Sequence, residues 1–408
     1  MRVRLNFPGK EVHGEISVTG SKSESNRLLL LKALLQDLEI KNLSNSDDTR
    51  VMKAGIEKTS GMVDIHHAGT AMRFLTAYFA TQPGCDVVLT GSARMKERPI
   101  SILVDALRAL GAAITYTEKD GYPPLHIKGT SIVKHEVTLD ADVSSQYISA
   151  LLLVAPNLEN GLELTLDGKI TSLPYIKMTL ALLEQVGVKT DFTSNVITIA
   201  PLKKNETKVL TVESDWSSAS YFYSIASVCE QASIVISSYK PDSLQGDSVL
   251  QEIYRDLGVG SAFMEDRLML KRVAETEQVS MMKLDLANAP DIAQTIAVSC
   301  FANGVGCELT GLHTLKIKET DRLEALKTEL TKLGASIEVT NDTLYLKAGG
   351  DIRPEIAIDT YNDHRMAMAF APLALKVPII INDAGVVSKS YPGFWDDLAS
   401  LGFEVQEL

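Results

Sequence analysis

Positive charge, cysteine and long apolar runs are all scarce in this 408-residue chain. Only 40 Lys and Arg face 52 Asp and Glu, a net charge of −12, which argues against nucleic acid or an anionic membrane as partner, since either needs broad positive surface. No stretch approaches the roughly 18 apolar residues of a membrane helix, and the opening "MRVRLNFPGKEV" lacks a signal peptide's apolar region. The four cysteines, Cys85, Cys229, Cys300 and Cys307, show neither CxxC nor zinc-like spacing and read as buried free thiols of a reducing compartment. A cytoplasmic location is expected. Gly20 is separated from Lys22 only by Ser21, and Gly14 is misplaced, so there is no P-loop; no GxGxxG follows a strand, and no GxSxG occurs. His66 and His67 are adjacent and point to opposite faces of an extended segment, which disfavours a metal site.

What is present is ordinary for a soluble protein, with 45% hydrophobic and 23% charged residues, in a chain longer than one core supports. One kind of segment recurs: a polar or Gly start followed by an Ala/Leu-rich helix with almost no charge. The starts are Ser23, Gly69, Ser144, Ser217, Asp291 and Asp363, spaced by 46, 75, 73, 74 and 72 residues. A helix apolar all round is buried on all sides. A second helix type follows, charged on one face and ending at Gly111, Gly187, Gly258, Gly334 and Gly402, with spacings of 76, 71, 76 and 68. Alternating β-rich stretches such as "SIEVTNDTLYLKA" and "VKTDFTSNVITIA" lie between. Two independent markers thus share one period, which gives six β/α units. The short first interval means that unit one lacks a strand pair of about 27 residues, near residues 50–66.

Six units divide evenly only if the N-terminal stretch belongs with the C-terminal half. Residues 20–213 then hold three units, and 1–19 with 214–408 hold three, joined by a double hinge near 19–20 and 212–214. The cleft between two such domains is the default ligand site.

Cations gather at the starts of helices too apolar to be exposed. "TGSKSESNR" brings Lys22 and Arg27, "GTAMR" brings Arg73, and "GSARMKERP" brings Arg94, Lys96 and Arg98; "KIKETDR", "YNDHRMAM" and "VSKSYPGFW" add Lys318, Arg322, Arg365 and Lys389. Helix N-termini already favour anions. Together these imply a polycationic pocket for ligands with several phosphates or carboxylates. Acids sit among them. Asp291 opens a buried helix, as N-cap or as general base, and Glu319 lies between Lys318 and Arg322, as ion-pair partner or base. His364 is placed to cap its helix or to bind an anion. Local sequence leaves these roles open.

The ordered blocks "GSKSESNRLLLLKAL", "SDDT", "AGTAMRFL", "RMKERPI", "SSQYISALL", "SSASYF", "QGD", "KIKETDRL", "YNDHRMAM" and "SKSYPGFW" resemble the EPSP synthase (3-phosphoshikimate 1-carboxyvinyltransferase) family over essentially the whole chain. The resemblance implies an α/β enolpyruvyl-transferase fold, an inside-out α/β barrel of two domains with three βαβαββ units each, one of them truncated here. It implies transfer of enolpyruvyl from phosphoenolpyruvate to the 5-hydroxyl of shikimate 3-phosphate by a monomer, with no metal or organic cofactor. The earlier domain mainly binds shikimate 3-phosphate, and the later one completes the phosphoenolpyruvate site. By resemblance the shikimate 3-phosphate site takes Lys22, Ser23, Arg27, Ser144, Ser145, Gln146, Ser172, Tyr175, Asp291, Thr314 and Lys318. The phosphoenolpyruvate site takes Lys22, His67, Gly69, Arg98, Gln146, Arg322, Arg365 and Lys389, with Thr70 beside Gly69. Asp291 is the candidate base for the hydroxyl; Lys22 and Glu319 are candidates for proton traffic at the enol and the leaving phosphate.

The chain departs from the family pattern in places. His67 stands where an Asn usually precedes Ala-Gly-Thr, Thr314 replaces an Asn, Lys316 replaces a frequent Arg, and Phe74 replaces a Pro behind the pocket helix. Two rivals remain at this stage: the enolpyruvyl transferase acting on UDP-N-acetylglucosamine, and a catalytically silent polyanion-binding scaffold. The first usually carries a Cys in the loop that here reads "GSARMKERP", whereas Cys85 falls upstream in a strand; the retained Lys22, Asp291 and Glu319 count against the second.

Overall fold

The structure, a computed structural model, describes residues 1–408 apart from 36, 142–143, 169, 171–172, 203–206 and 274–278. Among the described residues the strands form six sheets, five of four strands and one of two, one sheet for each sequence unit. The unit built on Ser60–Asp64 shows the pattern. That strand runs parallel to Asp86–Thr90, which pairs antiparallel with Leu125–Lys128, itself antiparallel to Ala113–Tyr116. Parallel neighbours need a crossover, and the Gly69–Ala80 helix supplies it; the Ser101–Leu110 helix leads to the closing hairpin. Gly111, at φ 113°, ends that second helix in the left-handed conformation, as Gly334 does at φ 108° for Arg322–Leu333.

The two-stranded sheet is the short unit. Leu38–Lys41 runs parallel to Lys208–Thr211, and the Asp47–Ile56 helix passes directly to Ser60–Asp64 with no hairpin between. The spacing anomaly in the sequence is therefore a missing strand pair.

The apolar segments form the helices Lys22–Leu35, Gly69–Ala80, Ser145–Val154, Trp216–Val228, Ala293–Ala302 and His364–Phe370. Every residue of the last three is buried. Their hydroxyl side chains satisfy one another inside: Ser299 Oγ lies 2.8 Å from both Tyr254 Oη and Ser224 Oγ and donates to the Thr295 carbonyl at 2.7 Å.

Backbone contacts divide the chain into two compact units, Met1–Thr19 with Glu213–Leu408, and Gly20–Val212. The N-terminal strands explain the discontinuous unit. Glu11–Ile16 runs parallel to Gln231–Ser237, and Val3–Asn6 lies between Ile379–Ile381 and Glu404–Glu407. Val3, Leu5 and Val12 accordingly share one core with Trp216, Ile234 and Phe370. Within Gly20–Val212, Lys208–Thr211 supplies the second strand of the short unit.

Two local expectations shift by one residue. Glu213 belongs with the residues after it, because its buried carboxylate accepts from Trp216 Nε1 at 2.8 Å, the Lys240 backbone at 2.9 Å and Ser243 Oγ at 2.6 Å. Cys85 precedes its strand, its N–H being taken by the Gln82 carbonyl in the preceding turn. All four cysteines are free and buried. Among the described residues, no helix is long and apolar enough to cross a membrane.

Gly20 follows directly on Thr19. A Cβ there would lie 1.9 Å from the Asn42 carbonyl oxygen and 2.7 Å from Val212 Cγ1. Backbone cannot step aside cheaply, so Gly20→Ala is expected to cost about 1–3 kcal/mol. Urea denaturation reads this as a lower midpoint, and an unchanged midpoint contradicts it.

Candidate functional site

In the discontinuous unit, the Ala293–Ala302 helix packs against both Trp216–Val228 and His364–Phe370. The starts of all three meet in one cluster of charge. Arg365 Nη2 lies 3.1 Å from Asp291 Oδ2 and donates to Ser217 Oγ at 3.2 Å. Ser217 in turn donates to Asp247. Asp363 caps the His364–Phe370 helix through the Arg365 N–H at 2.9 Å.

Arg322 stands at the centre of this cluster and is 1% exposed. Its Nε donates to Asp363 Oδ2 at 2.7 Å, Nη1 to Asp291 Oδ1 at 2.9 Å and Nη2 to Glu319 Oε2 at 2.9 Å. Burial opposes its charge, but the three carboxylates outweigh burial and hold the guanidinium firmly protonated. For Arg365 burial again acts downward and Asp291 leads the carboxylates that overcome it. Lys318 Nζ lies 3.6 Å from Asp291 Oδ1. Asp291 pulls this ammonium upward, yet burial and the two arginines together leave it below the usual lysine range. Burial and the charge of Asp291 push the Asp247 carboxyl upward.

Beside the cluster, buried Lys389 donates to the Asn362 carbonyl at 2.6 Å and to its Oδ1 at 2.7 Å. Tyr361 and Asn362, at φ 53° and 58°, are both left-handed, a costly pair that shapes this loop. His364 is buried, but the cap is Asp363, not the imidazole.

In the Gly20–Val212 unit, the helices Lys22–Leu35, Gly69–Ala80 and Ser145–Val154 pack on one another. Gln146 Nε2 donates to Thr70 Oγ1 at 3.2 Å, joining two helix starts, and Ser144 caps the Ser145–Val154 helix. Lys22 Nζ lies 3.3 Å from Asp48 Oδ2, and His67 Nε2 lies 3.6 Å from Asp48 Oδ1. Two residues beyond His67, a Cβ on Gly69 would come within 2.6 Å of Arg98 Nη1, so only glycine lets that guanidinium rest on the helix start.

Arg27 lies deeper. Its donors reach Thr179 Oγ1 at 2.8 Å, Ser149 Oγ at 2.9 Å and the Ser23 carbonyl at 2.8 Å, all neutral acceptors. The guanidinium lies 5.4 Å from the Phe74 ring centroid and 5.8 Å from that of Tyr175. Burial lowers its pKa to about 10, so it stays charged at neutral pH. Phe74, a departure from the family's Pro, is thus a face for Arg27.

Most residues singled out from the sequence come together within their own unit. Lys22, Ser23, Arg27, His67, Gly69, Arg98, Ser144, Ser145, Gln146 and Tyr175 lie at or beside the helix starts of one. Asp291, Lys318, Glu319, Arg322, Arg365 and Lys389 gather in the other. Thr314 sits in the His313–Ile317 turn, its buried hydroxyl without a hydrogen-bond partner among the described residues. Ser172 lies outside the described residues. Arg94 and Lys96 do not join: they turn to Glu97 at 3.1 Å and Glu118 at 2.6 Å near solvent. Arg73 braces the Pro99 carbonyl at 3.2 Å beside Arg98. Asp48, Asp247 and Asp363 were not singled out as site residues, although "SDDT", "QGD" and "NDHR" contain them. Lys22, Lys318, Arg322 and Arg365 form no bare positive wall, because buried or half-buried carboxylates pair them.

Comparisons with known proteins bear on the family and the fold. The family model described as EPSP synthase (3-phosphoshikimate 1-carboxyvinyltransferase) matches residues 7–62 and 55–398. The match divides where the short unit passes into Ser60–Asp64. A Bacteroides fragilis (strain YCH46) protein named 3-phosphoshikimate 1-carboxyvinyltransferase is 45% identical over 410 residues, covering 100% of this chain and 99% of its own. One of the same name from Vibrio campbellii is 37% identical over 426 residues, covering 97% and 98%. A solved EPSP synthase from Acinetobacter baumannii superposes with a TM-score of 0.79 over 100% of both chains at 22% identity, which speaks to the fold.

Removing the central guanidinium takes a counter-charge from three carboxylates, of which Asp291 keeps Arg365 and Lys318 while the wholly enclosed Asp363 loses its closest cation. Arg322→Met is therefore expected to destabilise the fold by about 3–5 kcal/mol. Chemical denaturation checks this, and a loss below about 1 kcal/mol, the scale of a surface pair, contradicts it.

Proposed function

The chain belongs to the EPSP synthase family and has 3-phosphoshikimate 1-carboxyvinyltransferase activity; on that premise we propose how its residues divide the reaction. Phosphoenolpyruvate gains a proton at C3, and the oxygen of the 5-hydroxyl of shikimate 3-phosphate attacks C2 as the hydroxyl gives up its proton. The bond from C2 to the phosphate oxygen then breaks, C3 returns a proton, and the enol ether and phosphate leave.

In this scheme Lys22, Ser23, Arg27, Ser144, Ser145, Gln146, Tyr175, Asp291, Thr314 and Lys318 bind shikimate 3-phosphate, together with Ser172. Lys22, His67, Gly69, Arg98, Gln146, Arg322, Arg365 and Lys389 bind phosphoenolpyruvate. Asp291 accepts the hydroxyl proton. Lys22 and Glu319 carry protons to and from C3 and the leaving phosphate. The arginines hold the anions and follow the charge as it moves.

The observation that carries the assignment of Asp291 is its setting. Both carboxylate oxygens face guanidinium groups, at 2.9 and 3.1 Å, with Lys318 at 3.6 Å. The two arginines fix both carboxylate oxygens in place, so a hydroxyl reaching either one meets an oriented acceptor for its proton. The free, buried thiols support a reducing, cytoplasmic setting.

A coupled assay tests the reading. Phosphate is expected only when shikimate 3-phosphate and phosphoenolpyruvate are both present; turnover with UDP-N-acetylglucosamine in place of the former contradicts it. Asp291→Ala is expected to keep substrate binding but lose at least about a hundredfold in kcat, the lower scale of acid–base catalysis. A near-normal rate would reduce Asp291 to a structural partner of Arg322. We also take the protein to act as a monomer, so that light scattering gives the 44.4 kDa of one chain; twice that mass contradicts it.

A further inference from the structure

Asp48 is a carboxylate that the reaction scheme leaves without a role. It lies in the first turn of the Asp47–Ile56 helix and is 6% exposed. One oxygen faces Lys22 Nζ at 3.3 Å, and the other faces His67 Nε2 at 3.6 Å. The carboxylate therefore stands between a permanent cation and a group that is a cation only when protonated. Other charged groups lie nearby. Arg98 rests on Gly69, two residues beyond His67. Asp47 turns to Arg50 at 3.4 Å, and Asp64 turns to His66 at 3.6 Å on the solvent side.

An anion bound on Lys22 competes with Asp48 for the ammonium and is repelled by the carboxylate. Both effects shrink when an imidazolium faces Asp48 instead. We propose that Asp48 is a positioning residue for Lys22, and that His67 sets by its protonation whether Asp48 holds the ammonium or yields it to phosphoenolpyruvate. The inference rests on the reading that Lys22 binds phosphoenolpyruvate. Its sign follows from linkage. A bound anion favours the protonated imidazole, so binding takes up a proton; affinity is greatest below the ordinary imidazole range and falls as pH rises through it.

Two sets of measurements on the full chain decide it. The first follows the His67 Cε1–H resonance with pH, without substrates. Asp48→Asn is expected to lower the midpoint by about one pH unit, a tenfold change, Asp48→Glu to restore it, and inorganic phosphate to raise it in the wild type. The second compares kcat and the KM for phosphoenolpyruvate across pH 6 to 8 in wild type and His67→Asn. Ionisation of the substrate itself is common to both. The wild-type KM is expected to rise about three- to tenfold relative to His67→Asn over that range, while the ratio of kcat values stays flat. An imidazole midpoint unmoved by Asp48→Asn, or the same pH dependence of KM in both proteins, overturns the proposal. Should Asp48→Asn fail to fold, the phosphate titration and the His67→Asn kinetics decide alone. Should the protein show no turnover, the enzymatic reading fails, and the resonance with and without phosphate still decides the coupling.

Discussion

A guanidinium taken almost wholly out of water must bring its counter-ions with it, and Arg322 brings three. Two of the carboxylates have a second engagement. Asp363 caps the helix that carries Arg365. Asp291 draws in Arg365 and Lys318. Through Arg365 the cluster reaches Ser217 and then Asp247. One buried charge thereby ties together the starts of three helices. Hydrophobic contact is non-directional and fixes no atom to a tenth of an ångström; a fork of charge-assisted hydrogen bonds does.

The other unit applies the same rule more sparingly. Lys22 has Asp48, but the three donors of Arg27 end on hydroxyl and carbonyl oxygens, between two rings. Neutral acceptors satisfy its hydrogen bonds, and the buried carboxylate of Glu24 acts on its charge from the same helix. A ligand phosphate near Lys22, by contrast, competes with a direct carboxylate partner.

The repeat was legible because burial leaves a composition signature: a helix surrounded on every side carries no charge, and six such helices stand at near-constant spacing. The missing hairpin followed from one short interval, and the coordinates show it as a two-stranded sheet. The cations were legible because charge next to an apolar helix is anomalous. Their partners were not. Asp48 meets Lys22 across 26 residues and Asp363 meets Arg322 across 41, and nothing local distinguishes these acids from surface ones. The boundary at Glu213 shifts for the same reason, since its partners at Lys240 and Ser243, 27 and 30 residues on, are brought to it by the fold. The ligands themselves became legible only through the ordered motifs, because a paired cation cluster fits many small anions.

The central claim is that the cations at buried helix starts, held by carboxylates or, for Arg27, by neutral acceptors, are the receptors for the substrate anions. A crystal structure with shikimate 3-phosphate and phosphoenolpyruvate bound tests it most directly. Phosphate and carboxylate oxygens are predicted within about 3.2 Å of nitrogen atoms of Lys22, Arg27, Arg322 and Arg365, with the 5-hydroxyl beside Asp291. Both ligands lying elsewhere, with those side chains making only the contacts described above, would contradict the account.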